Sequence, residues 1–562
     1  MPSVRTPIPG VVYPSAADTA RYDALGLFDT LTMPEAWEQM AARHPDRVAV
    51  TDPDGSWTLG ELDALSTRLG GALLGLGLRP LDRAIFQIAN SRELVLCLLG
   101  CLKAGVIPVC TLTAHRALEI GYLAQHSGAR AHFICTDEAK FDAAGFAEDM
   151  RQVAPGLDDV IVARGPTGNR PGFHGLQALI DATDTAMARE RLAGVERDPA
   201  QVAVFQLSGG TSGVPKIIPR FHNEYLWQIR SAGAFHGLDH RTVSFSAAPM
   251  MHNAPIVCYW GSTFWAGGEV VCMPVPTPEI MADLIRARRP TLMAVPGPLM
   301  YRLLSADLLE VEDLRAALQI AAGNARPLAE KLGAPTVTLY GMTEGIICYS
   351  AAGDGLDILS DTVGRPIDTM TDIRIQDPET GEPLPDGVIG EMVFRGPSST
   401  RGYYDAEERN REAFTADGYV KSGDLMSIRH IGGVLHLTFD GRVKDVVSRG
   451  GEKINCSEVE RALLGHPQIA AVLCVPMPDP LYGERMCAFV VPVPGTTAPD
   501  LRETGTFLEN LGMAKFKWPE RIETVADFPL TGSGKPSKPL LKERIARILR
   551  EERAPAASDA LA

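Results

Sequence analysis

The sequence predicts an α/β protein with a large N-terminal domain of parallel-sheet α/β subdomains, a small β-rich subdomain and a smaller α+β C-terminal domain. At 562 residues the chain is too long for one hydrophobic core, so two or more domains are expected. Over most of its length, short apolar runs alternate with helical patterns of about ten to fifteen residues. This alternation indicates β–α units and mainly parallel sheets that are covered on both faces.

The alternation is clearest between residues 33 and 361. There TLGELDALSTRLGGALLGLG predicts a helix, RAIFQIA a strand, ELVLCLLGCLKAG a second helix and VIPVCTL a second strand. After Ile373 the segments shorten, and the turn signals DPETG and PDG separate the strands of a β-rich subdomain. A basic glycine loop, a helix and another strand then begin a new α+β unit, so we predict domains at residues 1–439 and 440–562.

Composition excludes several classes of protein. The net charge of -15 argues against broad nucleic-acid binding, because most of the surface would repel a phosphate backbone. No apolar run approaches the roughly 18 residues of a membrane span, and the start MPSVRTPIPGVVYPSA lacks the apolar region of a signal peptide. The 10 cysteines form no CxxC pair or Cys/His cluster, which favours buried, reduced thiols over a zinc site. We therefore expect a cytoplasmic protein without nucleic-acid or membrane partners.

A glycine-rich loop follows the strand candidate VAVFQL and reads LSGGTSGVPK, ending at Lys216. Its glycines allow backbone amides to wrap an anion, and its hydroxyls and lysine add donors. A Walker A loop would place Ser or Thr directly after the lysine, whereas here Ile217 follows it, which disfavours a P-loop NTPase. A flexible surface connection would explain the glycines but not the hydroxyls with a lysine, so the pattern favours a phosphate site.

Four further motifs follow this loop in a fixed order: YGMTE, SGD, DGRVKDVVSRGGEKI and PLTGSGKPSK. Together the five motifs resemble those of the ANL superfamily of adenylate-forming enzymes, which comprises acyl- and aryl-CoA synthetases, peptide-synthetase adenylation domains and firefly luciferases. The segments KIIPRFHNEY, VCTLTAHRALEI and APMMHNAPIVCYWG resemble more narrowly the stand-alone aryl-acid AMP ligases, which activate 2,3-dihydroxybenzoate or salicylate for siderophore assembly.

The resemblance implies ATP as a substrate and Mg²⁺ as its metal. The residues implied to bind ATP or AMP are Ser208, Gly209, Gly210, Thr211, Ser212, Gly213, Lys216, Gly323, Tyr340, Gly341, Met342, Asp424 and Arg442. Glu344, after Thr343, is implied as the Mg²⁺ carboxylate, and both are implied to take part in catalysis. Asp424 is implied to accept hydrogen bonds from the ribose hydroxyls. Taken alone, these motifs are equally typical of a surface turn or a helix cap.

Lys535, in TGSGKPSK, is implied as the catalytic lysine that bridges the substrate carboxylate and the α-phosphate. Without the resemblance it would be interpreted as a solvated lysine. The resemblance also implies a second half-reaction, in which a thiol attacks the adenylate after the small domain rotates about a hinge at Asp440. That rotation is implied to withdraw Lys535 and to bring Gly450 and Gly451 towards the thiol channel. The acceptor is implied to be an aryl carrier protein or CoA.

The implied acid pocket contains His252, Asn253, Ala254, Cys258 and Asn324. Asn253 matches the asparagine that recognises a substituent ortho to the carboxylate, and Cys258 stands where salicylate enzymes carry cysteine. Ala254 replaces a large aromatic residue, and Asn324 stands where relatives prefer glycine. These departures favour an acid other than salicylate, for example 3-hydroxyanthranilate. His252 is assigned to positioning, because a carboxylate substrate is already ionised at neutral pH.

The sequence therefore favours an aryl-acid:AMP ligase of siderophore or other secondary-metabolite biosynthesis, acting as a monomer or weak dimer. A general acyl- or aryl-CoA ligase is the alternative within the superfamily. An alternative of another class is a catalytically silent ATP-binding scaffold, which the presence of Lys535, Glu344 and Asp424 disfavours.

Overall fold

The structure is a computed structural model that describes residues 4–138, 140–208, 215–322, 325–449, 452–511, 513–531 and 535–553. The chain divides into two compact units. The first comprises Met1–Asp372 and Phe394–Val420, and the second comprises Ile373–Val393 and Lys421–Ala562. The β-rich segment after Ile373 thus belongs largely to the second unit, while the functional boundary at residue 440 stays a prediction.

The first unit has the strand and helix alternation that the sequence predicts. Its helices are α1 (Ala16–Ala24), α2 (Met33–Arg43), α3 (Leu59–Gly75), α4 (Arg92–Ala104), α5 (Ala117–Ser127), α6 (Ala143–Val153), α7 (Leu176–Asp181), α8 (Thr185–Leu192), α9 (His222–Phe235), α10 (Trp260–Trp265), α11 (Pro278–Arg288), α12 (Gly297–Ser305), α13 (Val311–Arg315), α14 (Arg326–Leu332), α15 (Leu356–Asp361) and α16 (Glu407–Ala413). Its strands are β1 (Val48–Asp52), β2 (Gly55–Thr58), β3 (Arg83–Gln87), β4 (Ile107–Val109), β5 (Ala129–Cys135), β6 (Asp159–Arg164), β7 (Phe173–Gly175), β8 (Val202–Ser208), β9 (Lys216–Phe221), β10 (Val243–Ser246), β11 (Glu269–Cys272), β12 (Leu292–Ala294), β13 (Leu318–Ala322), β14 (Thr336–Gly341), β15 (Ile347–Tyr349) and β16 (Arg365–Pro366). A turn of π-helix, Pro255–Tyr259, leads into α10.

Two largely parallel sheets form the centre of this unit. One runs in the order β16-β15-β14-β13-β12-β10-β11-β1-β2, and its interior pairs from β14 to β1 are parallel. The other runs in the order β7-β6-β5-β3-β4-β8-β9, with an antiparallel pair only at β8 and β9. Apolar side chains of both sheets and of the helices between them form the core. The predicted α/β class is confirmed.

Local signals explain why the helices begin and end where they do, and α4 is an example. The Ser91 hydroxyl accepts a hydrogen bond from the backbone N–H of Leu94 at 3.4 Å, which caps the first turn. Gly105 ends the helix with φ of 70°, a left-handed conformation that glycine adopts without a side-chain clash. Cys97 and Cys101 lie between these ends and are fully buried, so they serve as small core residues.

The second unit is built on antiparallel strands. Its strands are β17 (Asp372–Gln376), β18 (Gly390–Arg395), β19 (Val420–Ile431), β20 (Val434–Arg442), β21 (Val446–Arg449), β22 (Glu452–Asn455), β23 (Ile469–Asp479), β24 (Gly483–Pro492) and β25 (Arg521–Thr524), and its helices are α17 (Cys456–Leu463), α18 (Leu501–Asn510) and α19 (Lys538–Arg553). Two short 3₁₀ turns cover Val443–Asp445 and Lys515–Lys517. One sheet has the order β17-β18-β19-β20, and the other has the order β22-β21-β24-β23 with β25 added beside β24. The helices pack on the second of these sheets through an apolar cluster.

In the part of the chain that the structure describes, no helix is both long and apolar enough to cross a membrane. The same residues hold no group of three or more His, Cys, Asp or Glu side chains that could form a metal site on their own. All ten cysteines are buried, and each is a free thiol.

Candidate active site

Several predicted site residues follow parallel strands of one sheet. His252 to Ala254 come after β10, Gly323 and Asn324 come after β13, and Met342 to Glu344 come after β14. Because β10, β12, β13 and β14 are parallel neighbours, their carboxyl ends meet at one edge, where α/β proteins bind ligands. Gly323 and Asn324 lie outside the described residues. For the described residues, the topology assigns the segments after β10 and β14 to a common edge.

The predicted phosphate loop connects two paired strands. Ser208 is the last residue of β8 and Lys216 the first of β9, and the two are direct register partners. The strand predicted before the loop is confirmed, and the Ser208 side chain is buried. The loop residues Gly209, Gly210, Thr211, Ser212 and Gly213 lie outside the described part of the chain.

The turn after β14 holds a buried carboxylate. Glu344 is 6% exposed, and the backbone N–H of Thr400 donates to its carbonyl at 2.7 Å. Gly345, which follows, has φ of 127°, and a Cβ there would lie 2.0 Å from the carbonyl oxygen of Ser398. Only glycine therefore fits this close approach, which fixes the course of the chain directly beside Glu344.

Tyr403 joins Glu344 to Lys216. Its hydroxyl donates to Oε1 of Glu344 at 2.9 Å, while Nζ of Lys216 lies 3.4 Å from the same hydroxyl and 4.5 Å from the ring centroid. Burial and the adjacent carboxylate raise the pKa of Tyr403 well above its ordinary value, so the hydroxyl remains a donor. The buried carboxylate of Glu344 supplies the oxygen ligands that Mg²⁺ prefers. The nearby ammonium group of Lys216 fits the phosphates that accompany Mg²⁺.

The predicted acid-binding residue Asn253 is 2% exposed and belongs to a buried polar network. Its Oδ1 accepts hydrogen bonds from Nη1 of Arg220 at 3.3 Å and from the Tyr225 hydroxyl at 3.0 Å. The same Arg220 Nη1 donates to the backbone carbonyl of Thr343 at 3.3 Å. One guanidinium thus contacts both the predicted acid-binding amide and the turn that carries Glu344.

The segment after Asn253 folds as the π-helical turn and packs into the core. Cys258 is 1% exposed, burial raises the pKa of its thiol to about 12, and its carbonyl accepts the Tyr349 hydroxyl at 3.2 Å. Trp260 is fully buried and donates from Nε1 to the carbonyl of Met250 at 2.8 Å, which anchors the loop before Asn253. The Cys258 thiol is therefore neutral at physiological pH. Ala254 and His252 are half-buried.

The second unit brings together three of the predicted residues. Asp424 on β19 faces Arg442 on β20, and Nε of Arg442 lies 3.3 Å from Oδ1 of Asp424. Lys535 precedes α19, and its carbonyl accepts the backbone N–H of Thr531 at 2.7 Å. Partial desolvation and the nearby charge of Arg442 lower the pKa of Lys535, and Asp424 partly offsets this. The charged groups of Asp424, Arg442 and Lys535 therefore interact with one another, as expected if all three bind the same ligand.

The predicted hinge Asp440 lies near the end of β20. Its carbonyl accepts a hydrogen bond from Nδ2 of Asn455 at 2.6 Å, and its carboxylate accepts one from the Thr438 hydroxyl at 3.0 Å. The next residue, Gly441, has φ of 146°, where a side chain would be strained and would meet the Asn455 amide at 2.6 Å. The hinge role stays a prediction, and Gly450 and Gly451 lie outside the described residues.

The sequence motifs did not single out Tyr403, Arg220 or Tyr225. Arg220, near the end of β9, and Glu224, in the first turn of α9, are four residues apart in KIIPRFHNEY, and an arginine and a glutamate so spaced beside an apolar strand are a signal for a buried ion pair. Tyr403 belongs to the GYY segment, whose local pattern carries no comparable signal.

Comparison with known proteins identifies the class. The AMP-binding enzyme family matches residues 37–404, and the AMP-binding enzyme C-terminal domain matches residues 458–535. The chain belongs to this family of adenylate-forming enzymes, in the branch of aryl-acid:AMP ligases.

Two curated relatives and one solved structure illustrate the similarity of the chain to other proteins. The chain is 34% identical over 517 residues to the 2,3-dihydroxybenzoate-AMP ligase of Bacillus subtilis, a match that covers 91% of this chain and 93% of the relative. It is 34% identical to the salicylyl-CoA synthase / salicylate adenylyltransferase of a Streptomyces species, over 94% of this chain and 96% of that one. The apo structure of Mycobacterium smegmatis MbtA superposes with a TM-score of 0.71 at 30% identity, covering 95% of this chain and 99% of MbtA.

Proposed function

We propose that this protein adenylates an aryl acid with an ortho substituent, with salicylate and 3-hydroxyanthranilate as candidates, and transfers it to a phosphopantetheine thiol of a carrier protein or CoA. The observation that carries the proposal is the shared Arg220 guanidinium, which contacts the Asn253 amide and the Thr343 carbonyl. The predicted acid-binding amide of Asn253 and the turn after β14, which carries Glu344, are therefore parts of one hydrogen-bond network. The names of two relatives support an acid with an ortho hydroxyl, because 2,3-dihydroxybenzoate and salicylate both carry one.

In the first step a carboxylate oxygen of the acid attacks the α-phosphorus of ATP. The bond from the α-phosphorus to the bridging oxygen breaks, and pyrophosphate leaves. Negative charge accumulates on the phosphates, so cations held in place lower the barrier. We assign Lys216 and the loop after Ser208 to the β- and γ-phosphates, and Lys535 to the α-phosphate and the acid carboxylate.

Glu344 is the residue that we assign to Mg²⁺. When bound, Mg²⁺ supplies charge neutralisation at the phosphate oxygens. Tyr403 orients the Glu344 carboxylate through its hydrogen bond, and its hydroxyl also holds Nζ of Lys216 at the start of β9. Asp424 accepts hydrogen bonds from the ribose hydroxyls, and Arg442, whose Nε lies 3.3 Å from Oδ1 of Asp424, holds that carboxylate in place.

In the second step the thiol loses its proton to solvent and its sulfur attacks the acyl carbon of the adenylate. The bond from that carbon to the phosphate oxygen breaks, AMP leaves, and an aryl thioester remains. Such a thioester is an activated acyl donor for siderophore or other secondary-metabolite assembly. We assign the change between the two steps to rotation at Asp440.

The test is direct detection of both products by mass spectrometry. The full chain is incubated with ATP, MgCl₂ and salicylate, 3-hydroxyanthranilate or decanoate, with and without CoA or a phosphopantetheinylated aryl carrier protein. We expect aryl-AMP without a thiol and an aryl thioester with one. If decanoate is the only acid that gives products, the general acyl-CoA ligase is favoured. If ATP binds but no acid gives an adenylate, the silent scaffold is favoured.

A further inference from the structure

The orientation of the Asn253 carboxamide follows from the chemistry of its partners. A guanidinium carries donors only, so the amide atom that faces Nη1 of Arg220 at 3.3 Å must be the oxygen. The Tyr225 hydroxyl could donate or accept, but Nε2 of Gln206 already donates to it at 3.2 Å. Its proton is therefore directed to Asn253 Oδ1, 3.0 Å away.

Both partners of the amide are themselves held in place. Arg220 is 1% exposed and forms two hydrogen bonds to the Glu224 carboxylate, at 2.9 and 2.8 Å, and a third to Oε1 of Gln228 at 2.7 Å. Its guanidinium also lies 4.5 Å from the centroid of the Tyr225 ring. Burial lowers the pKa of Arg220, but Glu224 more than offsets this, so the group stays charged and remains a pure donor.

The other end of the carboxamide is left for a ligand. Among the described residues, Nδ2 of Asn253 donates to no partner, whereas Oδ1 has two donors. If the amide turned over, two donors would face the NH₂ group, which is costly inside a protein. The amide is therefore held with its donor end towards whatever it recognises.

We propose that Arg220 and Tyr225 are positioning residues that fix Asn253 with Nδ2 outward, so that the pocket selects an aryl acid whose ortho substituent is a hydrogen-bond acceptor. This inference rests on the proposed function and ranks its candidate acids. A hydroxyl oxygen accepts a hydrogen bond well, whereas an aromatic amine has its lone pair delocalised into the ring and offers mainly N–H donors. Ortho-hydroxy acids such as salicylate are thus preferred to ortho-amino acids such as anthranilate or 3-hydroxyanthranilate.

The test compares salicylate with anthranilate, which differ only in the ortho group, by ATP–pyrophosphate exchange. The quantity measured is the ratio of the two kcat/KM values. Tyr225→Phe removes one of the two bonds to Oδ1 and leaves the Arg220–Glu224 pair intact. We expect it to lower the wild-type preference for salicylate by about three- to tenfold with an unchanged KM for ATP. Arg220→Lys, which also loses the bond to Thr343, is expected to lower the ratio further and to raise the KM for ATP.

Two controls separate positioning from general damage. Tyr13→Phe removes another partly buried tyrosine hydroxyl, 2.8 Å from Gln201 Oε1, and is expected to leave the ratio unchanged. In an Asn253→Ala background, Tyr225→Phe is expected to change the ratio by less than about twofold, since the residue through which it acts is gone. If Arg220→Lys does not fold, the comparison of Tyr225→Phe in the wild-type and Asn253→Ala backgrounds is sufficient to test the positioning role.

The outcomes distinguish this inference from the proposed function. The positioning role would be overturned if the wild-type protein preferred anthranilate, or if Tyr225→Phe changed the ratio equally with and without Asn253. Either result would leave the proposed adenylation activity intact. Exchange with no aryl acid at all would overturn the proposed function and the inference with it.

Discussion

Arg442 and Asp424 face each other across the antiparallel strands β19 and β20, with Nε of the arginine 3.3 Å from Oδ1 of the aspartate. Asp424 is 8% exposed, whereas the arginine side chain is largely in solvent. A buried carboxylate with a charged partner is held in one orientation, which suits the predicted role of Asp424 as a bidentate acceptor for two ribose hydroxyls.

The first prediction concerns this pair. Asp424→Ala is expected to raise the KM for ATP by about 10- to 100-fold, because hydrogen bonds to a charged group are lost, with little change in the KM for the acid. Arg442→Ala is expected to have a smaller effect in the same direction. Arg429→Ala, an exposed arginine on the same strand, is the matched control. An equal rise for the control, or an unchanged KM for ATP in Asp424→Ala, would contradict the ribose assignment.

The second prediction concerns Lys535. Lys535→Ala is expected to lower aryl-acid-dependent ATP–pyrophosphate exchange on the order of 100- to 1000-fold, because a cation aimed at the developing charge is removed. Binding of ATP, measured by calorimetry, is expected to change little. Lys542→Ala serves as the control, since that lysine donates a hydrogen bond to the Lys444 carbonyl, at 2.9 Å, and has no predicted role in the site. Full exchange in Lys535→Ala would contradict the assignment of Lys535 as the catalytic lysine.

The third prediction concerns the carboxylate at the turn after β14. Glu344→Gln keeps the size of the side chain and an acceptor for the Tyr403 hydroxyl, but it removes the negative charge. We expect the MgCl₂ concentration for half-maximal exchange to rise at least about tenfold, because a hard cation prefers ionised oxygen ligands. Tyr403→Phe keeps the charge and is expected to cause a smaller shift. A Mg²⁺ titration identical to wild type would place the metal carboxylate elsewhere.

The fourth prediction concerns the pH dependence of stability. His132 is fully buried with Nε2 2.9 Å from Oε1 of Gln87, and burial lowers its pKa to about 3. The unfolded chain binds a proton here below about pH 6.5 while the folded chain does not, so stability is lost as the pH falls from 6.5 towards 3. Each pH unit in that window costs up to about 1.4 kcal/mol for this group.

His132→Gln keeps a donor towards Gln87 and cannot take up the proton. The variant is expected to lose about 2 kcal/mol less free energy of unfolding than wild type between pH 7.5 and 5.0. Urea titrations at the two pH values measure this difference. Parallel losses in the two proteins would show that His132 does not contribute to acid destabilisation.

Local sequence patterns were sufficient to predict the fold class and the positions of the motifs. The strand predicted before the glycine loop is β8, which ends at Ser208, while the pairing of Ser208 with Lys216 on β9 was seen only in the structure. The sequence pattern places the β-rich segment before the predicted boundary at residue 440, and most of this segment belongs to the second compact unit. The boundary itself stays a prediction. A local pattern shows that these segments form strands. It does not show which of the two compact units they belong to.

The partners that orient the site could not be predicted in the same way. Tyr403 is 59 residues from Glu344 and 187 from Lys216, and Arg220 is 123 residues from Thr343. These contacts depend on how distant segments meet at the edge of a sheet, and no periodicity or spacing within one segment encodes that. The Arg220–Glu224 spacing is a signal for a buried pair, but it does not indicate Asn253 as a neighbour of that pair.

ATP–pyrophosphate exchange with purified full-length protein tests the central claim most directly. The panel comprises salicylate, 2,3-dihydroxybenzoate, anthranilate, 3-hydroxyanthranilate, benzoate and a medium-chain fatty acid. We predict strong exchange with an ortho-substituted aryl acid, strongest where the ortho group is a hydroxyl, and weak exchange with benzoate. Exchange with the fatty acid only, or with none of the six acids, would contradict the assignment of this protein as an aryl-acid-activating enzyme.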